Sequence, residues 1–292
     1  MRKAILILII ITVYLFTVTA SAQYAGSYLN MGVGARALGM GNAFSALADD
    51  ATAAYYNPAG LTQLGERQMS TMHAILDSDR RYNFLNYVSP LKEKAFYGIS
   101  WLKFGVVNIE ARDQTGNLTG YFDDSEDCFL GTYSFKVSDS ASLGFNLKYY
   151  RQVLYEFRAD GFGLDAGLFY RPDKYFSAGL VMRDASTDLK WNTASQRKDK
   201  IPVKIITGMA FRPKDYLTIL CDFNKVQEEN ITYHLGIEGW FDKKVGLRLG
   251  VNDGNITLGT SFKQNDWIIE YGFEDGSDED IHRISGIIRF NM

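Results

Sequence analysis

From about residue 68 onward, apolar and polar positions alternate with a period of two. Leu143, Phe145, Leu147 and Tyr149 alternate with Gly144, Asn146, Lys148 and Tyr150. The same holds for Val245, Leu247, Leu249 and Val251 against Lys244, Gly246, Arg248 and Gly250, and for Trp267, Ile269, Tyr271 and Phe273 against Ile268, Glu270, Gly272 and Glu274. Successive side chains of a strand point to opposite faces, so these segments predict strands with one apolar face and one face that is small or charged. A soluble two-sheet sandwich shows the same alternation, so the number and spacing of the segments decide. Fourteen can be placed, near 68–76, 82–90, 95–104, 126–136, 140–151, 161–171, 175–183, 202–211, 216–224, 231–241, 244–252, 255–263, 266–273 and 281–290. Each is close to the ~10 residues of a tilted membrane strand; alternation is poorest in the first two.

The connections sort into two sets. After the second strand, every other link is short: 91–94, 138–139, 172–174, 212–215, 242–243 and 264–265. The interleaved links 105–125, 152–160, 184–201, 225–230 and 274–280 are longer, with 253–254 the exception. Short turns at one end and long loops at the other are the pattern of an outer-membrane barrel, and a sandwich has no reason to alternate in this way. The expected fold is all-β, a transmembrane antiparallel barrel of about 14 strands, and the even number returns both ends of the barrel to the periplasmic side.

The first 22 residues read as a secretory leader. Arg2 and Lys3 form a positive start, 4–18 is almost wholly apolar, and Ala20-Ser21-Ala22 is a small-x-small cleavage site. Cleavage near Ala22 leaves 23–65 as an N-terminal segment and 66–292 as the barrel. It also removes Arg2 and Lys3, taking the formal charge from −3 to −5. No later segment approaches the ~20 apolar residues of a membrane helix. The two cysteines, Cys128 and Cys221, fall inside strand-like runs and read as small apolar fillers rather than a disulfide framework. His73, His234 and His282 lie far apart with no ligand spacing, so no metal site is expected. The 18 Tyr, 19 Phe and 4 Trp suit aromatic girdles at both membrane boundaries.

Residues 23–65 do not alternate. The stretch 35–48 suits a short helix, and Asp49 or Asp50 is better placed ahead of a second one. In Asn57-Pro58-Ala59-Gly60, proline pushes Asn57 out of the helical region and glycine permits a turn. Small residues allow close backbone packing in a narrow lumen, so a helical hatch inside the barrel is expected. Gly34, Arg36, Gly39 and Gly41, with Asn57, Pro58, Ala59 and Gly60, are its candidate site residues.

The run GARALGMGNAFSALADDATAAYYNPAGL, residues 34–61, resembles the hatch signature of FadL-type outer-membrane barrels, and most closely that of the PorV/PorQ branch. Residues 34–41 match its glycine-rich opening, and Asn57-Pro58-Ala59 matches the NPA motif shared with FadL proteins. The loop Asp113 to Phe122, followed by Asp127, is similar to the loop entering the fourth strand in PorV-like proteins. The resemblance implies a fourteen-stranded barrel plugged by its N-terminal segment, in the outer membrane of a Gram-negative-type bacterium. It implies one of two non-enzymatic roles. One is a type IX secretion-associated protein that meets secretion-system components and secreted proteins. The other is passive, FadL-like passage of small hydrophobic compounds. Only 105–125 and 184–201 are long here, which disfavours the surface groove of the fatty-acid transporters. The last strand, with Ile284, Gly286, Ile288 and Phe290 on one face, resembles the signal read by the barrel-assembly machinery.

The expected lumenal face carries Lys148, Asp165, Arg171, Arg183, Lys204, Asp222, Glu238, Arg248, Lys263, Glu270 and Arg289. Mixed signs favour a neutralising network that holds the hatch, because buried charges need partners; a polar conduction path is the other reading. The acidic run Glu274, Asp275, Asp278, Glu279 and Asp280 matches no defined Ca²⁺ loop and reads as a solvated charge run. There is no GxSxG, no Cys/His pair at useful spacing and no phosphate loop, so no catalysis, cofactor or nucleic acid is expected. Outer-membrane lipid is the surrounding partner.

Overall fold

The structure, a computed structural model, describes residues 25–77, 79–92, 94–276 and 279–290. The expected leader and its cleavage site lie outside these residues, as do Asp278 and the two residues after Phe290. Sixteen strands follow one another: β1 Arg67–Ile75, β2 Arg80–Lys92, β3 Ala95–Arg112, β4 Leu118–Lys136, β5 Ala141–Leu154, β6 Phe157–Tyr170, β7 Phe176–Ala185, β8 Thr187–Trp191, β9 Lys198–Ile201, β10 Lys204–Lys214, β11 Leu217–Val226, β12 Ile231–Phe241, β13 Val245–Asn252, β14 Asn255–Gln264, β15 Trp267–Asp275 and β16 Ile281–Phe290.

Fourteen of them close a barrel. Neighbours in sequence pair antiparallel, β7 pairs with β10, and β1 pairs with β16, so no edge is left open. The remaining two, β8 and β9, form a small hairpin whose first strand docks on the upper part of β6 through Ala159–Trp191 and Asp160–Lys190. Among the described residues no helix is long and apolar enough to cross a membrane.

The alternation sets the two faces. Leu147 and Leu249 point outward, 59% and 53% exposed, whereas Asn146 and Arg248 between such residues are buried in the lumen. An exterior this apolar is a lipid-facing surface. One boundary of the lipid band is marked by a row of cross-strand neighbours, Trp101, Phe129, Tyr149 and Phe162, with ring centroids 6.3, 6.2 and 5.3 Å apart. Two residues further out the same strands carry Lys103, Asp127, Arg151 and Asp160, again as cross-strand neighbours. Aromatic rings at the boundary and charges beyond it are what a membrane interface selects.

The expected long loops need correction. Most of 105–125 is strand: β3 and β4 run for 18 and 19 residues, well past the ~10 that cross a membrane, and turn only at 113–117. Residues 152–160 likewise complete the β5–β6 hairpin, and 184–201 contains β8 and β9. Beyond the lipid an outward residue no longer has to be apolar, so the alternation fades while the ladder of hydrogen bonds continues. The loop resembling the PorV-like motif is such a turn. Asp113 Oδ1 accepts hydrogen bonds from the Thr115 amide at 2.9 Å and hydroxyl at 2.7 Å and from the Asn117 amide at 2.9 Å. Cys128 and Cys221 are both free thiols.

Candidate functional site

Residues 25–64 lie inside the barrel and run from the loop end to the turn end. At the loop end, Tyr28 stacks on Phe104 at 5.7 Å, and the Tyr82 hydroxyl donates to the Gly32 carbonyl at 2.9 Å. Tyr28 and Leu29 enter an apolar cluster with Leu102, Cys128, Leu189 and Ile201. At the turn end, Thr62 Oγ1 donates to Ser142 Oγ at 2.7 Å. Helix is scarcer here than the composition predicts. Only Ala35–Leu38 and Ala53–Tyr56 are α-helical, with 3-10 turns at Ser27–Asn30 and Pro58–Gln63, so the expected helix over 35–48 stops after one turn. The wall explains why: the chain follows the barrel's curvature rather than its own axis.

That path is cut by glycines on both partners. A Cβ on wall residue Gly272 would stand 2.5 Å from the Ala35 carbonyl oxygen, one on Gly236 2.6 Å from the Met40 carbonyl oxygen, and one on Gly250 2.4 Å from the Gly41 nitrogen. On the hatch side, a Cβ on Gly39 would stand 2.7 Å from Gly259 Cα, and Gly41 has φ +64° besides. The small inward positions in the strand alternation are therefore a track for the hatch backbone.

Arg36 is the hub of the ionic contacts. Its Nε and Nη2 donate to the two oxygens of Glu238 on β12 at 2.8 and 2.7 Å, and its Nη1 donates to Asp49 at 2.6 Å and Asp50 at 3.0 Å. Glu238 also accepts from Arg248 Nε at 2.7 Å, and Arg248 Nη1 donates to Ser261 Oγ at 2.6 Å, whose hydroxyl reaches Glu270 at 3.3 Å. Asp50 does precede the second helix, but instead of capping it the carboxylate accepts from the Thr52 amide and hydroxyl, at 2.9 and 2.5 Å.

A second cluster holds the middle of the hatch. Lys148 pairs with Asp165 at 2.9 Å and Asp184 at 2.8 Å, and the Tyr150 hydroxyl donates to Asp184. Asn146 Nδ2 donates to Asp165 and to the hatch carbonyl of Ala54, both at 2.9 Å. Arg183 donates to the Tyr56 carbonyl at 3.0 Å with its guanidinium 4.4 Å from the Tyr55 ring centroid. Asp222 Oδ2 accepts the Phe44 and Ser45 amides at 3.1 and 2.8 Å, and Lys204 reaches Asn30 at 3.1 Å. Asn57 closes the hatch: Nδ2 donates to the carbonyls of Ser45 at 2.9 Å and Leu168 at 3.1 Å, and Oδ1 accepts from the Ala59 amide at 3.2 Å. Asn57 is extended, and Pro58 opens the 3-10 turn that carries Ala59 and Gly60.

Of the expected lumenal charges, Lys148, Asp165, Arg183, Lys204, Asp222, Glu238, Arg248 and Glu270 are buried between wall and hatch. Arg171, Lys263 and Arg289 are only half-buried, at the turn end, where each inward row meets solvent. Arg171 reaches Gln63 at 3.4 Å and Arg289 pairs with Glu66 at 3.5 Å. Sequence reasoning missed Asp184 and Arg283. Asp184 faces inward only because β7 bulges there: Leu164 pairs with Ala185 but Ala166 with Met182, so Arg183 and Asp184 together oppose Asp165. Arg283 lies on the inward face of β16 and donates to the Met31 carbonyl at 2.5 Å; its alternation with Ile284 was the available signal. Among the described residues no group of three or more His, Cys, Asp or Glu is placed to hold a metal ion.

A family model described as "Uncharacterised protein family (UPF0164)" matches residues 18–164, half of the chain. The chain belongs to this family. In this UPF0164 protein the match covers the hatch and β1 to β5 and ends within β6. No curated protein matches it. Among solved structures, the CymD monoaromatic hydrocarbon channel is similar with a TM-score of 0.68 at 14% identity, over 90% of this chain and 98% of that one. The Ralstonia pickettii toluene transporter TbuX is similar with a TM-score of 0.66 at 14% identity, over 89% and 99%. The P. putida toluene transporter TodX gives 0.69 at 12% identity, over 89% and 99%. At such identities the likeness is one of fold alone.

Proposed function

We propose that this UPF0164 protein is a non-enzymatic outer-membrane channel that passes small hydrophobic compounds and is closed at rest by its own N-terminal segment. One observation carries the reading: the lumen is filled by a segment that no barrel strand includes, held to the wall by side-chain contacts around Arg36, Asn57 and Asp222. Moving that segment opens the barrel without breaking a strand pairing. The part of the lumen at the loop end is apolar, with Leu102, Cys128, Leu189 and Ile201 around Tyr28 and Leu29, which suits an apolar solute. The similarity to barrels named as toluene transporters and a monoaromatic hydrocarbon channel supports the same reading. In this proposal the leader is cleaved near Ala22, the turn end faces the periplasm, and the barrel-assembly machinery inserts the chain.

The PorV/PorQ-type role in protein secretion rests on the wording of 34–41, 57–59 and 113–122. The last of these serves to build a turn, which leaves the hatch motifs as its support. Uptake of radiolabelled toluene by cells producing the protein separates the two roles. The channel reading expects faster uptake than in cells without the protein and altered uptake when residues 25–60 are deleted. Uptake equal to that of control cells in both cases overturns it.

A further inference from the structure

We propose that the turn-end mouth of the barrel holds a binding site for a small organic anion, a carboxylate carried on an aromatic body. The site goes beyond the channel reading and does not depend on what the channel passes. A cavity of about 460 Å³ opens there, between the hatch, the β10–β11 turn and the turn ends of β12 to β16. This is the size of a small-molecule pocket. Four cations line it, Arg36, Lys243, Lys263 and Arg289, against two carboxylates, Asp49 and Asp215. Arg36 is consumed by its three acidic partners and Arg289 faces Glu66. Neither Lys243 nor Lys263 makes a salt bridge within 4 Å among the described residues, although Lys263 lies in the field of the Glu66 and Asp266 carboxylates. Lys263, Trp240 and Arg289 belong to the inward rows of their strands, so the cavity lies on the lumenal side of the wall.

Rim lysines that merely sit in water are the ordinary explanation of such a cluster. What lies behind it is not ordinary. Arg248 is 4% exposed, and its Nη2 is buried with no hydrogen-bond partner, although Nε and Nη1 are both satisfied. That nitrogen lies beside Gly246 and Trp240, on the turn-end side of β13: a Cβ on Gly246 would lie 2.9 Å from it and 3.3 Å from the Trp240 ring. Trp240 is at once a wall of the cavity and a cover over the guanidinium, whose centre is 5.4 Å from the ring centroid. An unpaired buried donor on a cation is costly, and an anion seated near Trp240 would lower that cost. Trp240 and Tyr216 offer ring faces to the body of the ligand, and Lys243 and Lys263 offer charge to its carboxylate. The larger cavity on the other side of the hatch, about 770 Å³, carries Lys136 and Arg171 against Asp139, and the unpartnered buried group near it is a neutral hydroxyl, Ser134 Oγ.

The test is equilibrium dialysis of labelled benzoate against the full-length protein in neutral detergent at low salt, with benzyl alcohol as the uncharged competitor. Saturable benzoate binding is expected, resistant to benzyl alcohol, and weakened about tenfold or more in the Lys243→Gln, Lys263→Gln double variant, as for loss of charge-assisted contacts. Both lysines sit at the solvent-facing rim, so the variant should keep the heat-modifiable gel migration of a folded barrel. The absence of saturable benzoate binding overturns the proposal. So does equal competition by benzyl alcohol, or unchanged affinity in the folded double variant.

Discussion

Arg36 and Glu238, 202 positions apart in sequence, meet as a two-pronged ion pair, with Nε 2.8 Å from Oε2 and Nη2 2.7 Å from Oε1. One residue belongs to the hatch and the other to the wall, and both are buried. Two parallel charge-assisted bonds fix orientation as well as distance. The same carboxylate also holds Arg248. Glu238→Gln therefore leaves the buried Arg248 guanidinium without its carboxylate partner and Arg36 with Asp49 and Asp50 alone, a loss of about 3–5 kcal/mol for a broken buried pair. The variant should still form a barrel, because no strand pairing involves the carboxylate. Single-channel recordings in planar bilayers should show more frequent or larger openings than the wild type. A variant as silent as the wild type would mean that this pair does not hold the hatch.

Asn57 makes three hydrogen bonds with one side chain, to Ser45, Leu168 and Ala59. It is fully buried, so water cannot replace them. Asn57→Ala should lower the temperature at which the purified protein loses its compact gel migration, at about 1–3 kcal/mol for each buried group left unpaired. Asn57→Asp keeps the acceptor toward Ala59 but turns the donor into a second acceptor facing two carbonyls. It should be at least as damaging as alanine, and an aspartate that restores stability would rule out the donor role.

Much of this architecture was legible because membrane and lumen impose opposite demands on alternate residues. Leu147 and Leu249 met lipid, Lys148 and Arg248 met the interior, and that contrast survives in any register of the barrel. Beyond the lipid the contrast disappears. Glu110 and Arg112 pair with each other at the far end of β3, so the strand read as loop. The hairpin β8–β9 was hidden for the same reason: Thr187–Trp191 and Lys198–Ile201 are short and charged. In the hatch, the small residues and the NPA bend were visible as a pattern. Which wall residue answers Arg36 was not, since Glu238 becomes its partner only through barrel closure. Asp184 was missed because a bulge in β7 breaks the period on which the facing argument rests.

The two faces differ in what an added charge does. Leu249→Arg places a cation against lipid at a cost of about 2–4 kcal/mol near the midplane and should prevent stable insertion. Asn146→Arg also does harm, but of another kind. Asn146 is held between Thr132, Asp165 and the hatch carbonyl of Ala54. The larger side chain has nowhere to go except into the hatch, so the expected product is an inserted barrel with raised conductance. Membrane fractionation distinguishes the outcomes, and failure of both variants to insert would point to a different register.

The turn at the tip of the β3–β4 hairpin gives a pH dependence with a definite sign. Hydrogen bonds from the Thr115 side chain and the Asn117 backbone pull the Asp113 carboxyl down to about 2. A lowered folded-state value stabilises the ionised turn above the ordinary carboxylate range, and that stabilisation is lost as pH falls through the folded value. The tip should therefore stay ordered on acidification from pH 7 to about pH 4 and loosen only near pH 2. Amide exchange at Thr115 and Asn117 measures this. Loss of protection already at pH 5 would exclude the Asp113 carboxylate as the organiser.

The glycine track offers the most direct test of whether the hatch needs this particular wall. Gly272 on β15 is buried, and an added Cβ would lie 2.5 Å from the Ala35 carbonyl oxygen and 3.2 Å from its carbon. Those atoms are backbone, fixed by the helical turn Ala35–Leu38 and by the Ala35 amide, which donates to Ser285 Oγ at 2.8 Å. The hatch cannot swing a side chain aside; it must move as a piece. Valine at position 272 suits the strand itself, since β-branched residues favour extended backbone. Gly272→Val should thus leave the barrel intact and displace the first half of the hatch, seen as raised conductance and as protease access to 34–48. Gly239→Val is the control. A Cβ there meets nothing within 4 Å, and it should leave both properties unchanged. If Gly272→Val stays as closed and as protected as Gly239→Val, the close approach of the hatch to β15 is not what keeps the lumen shut.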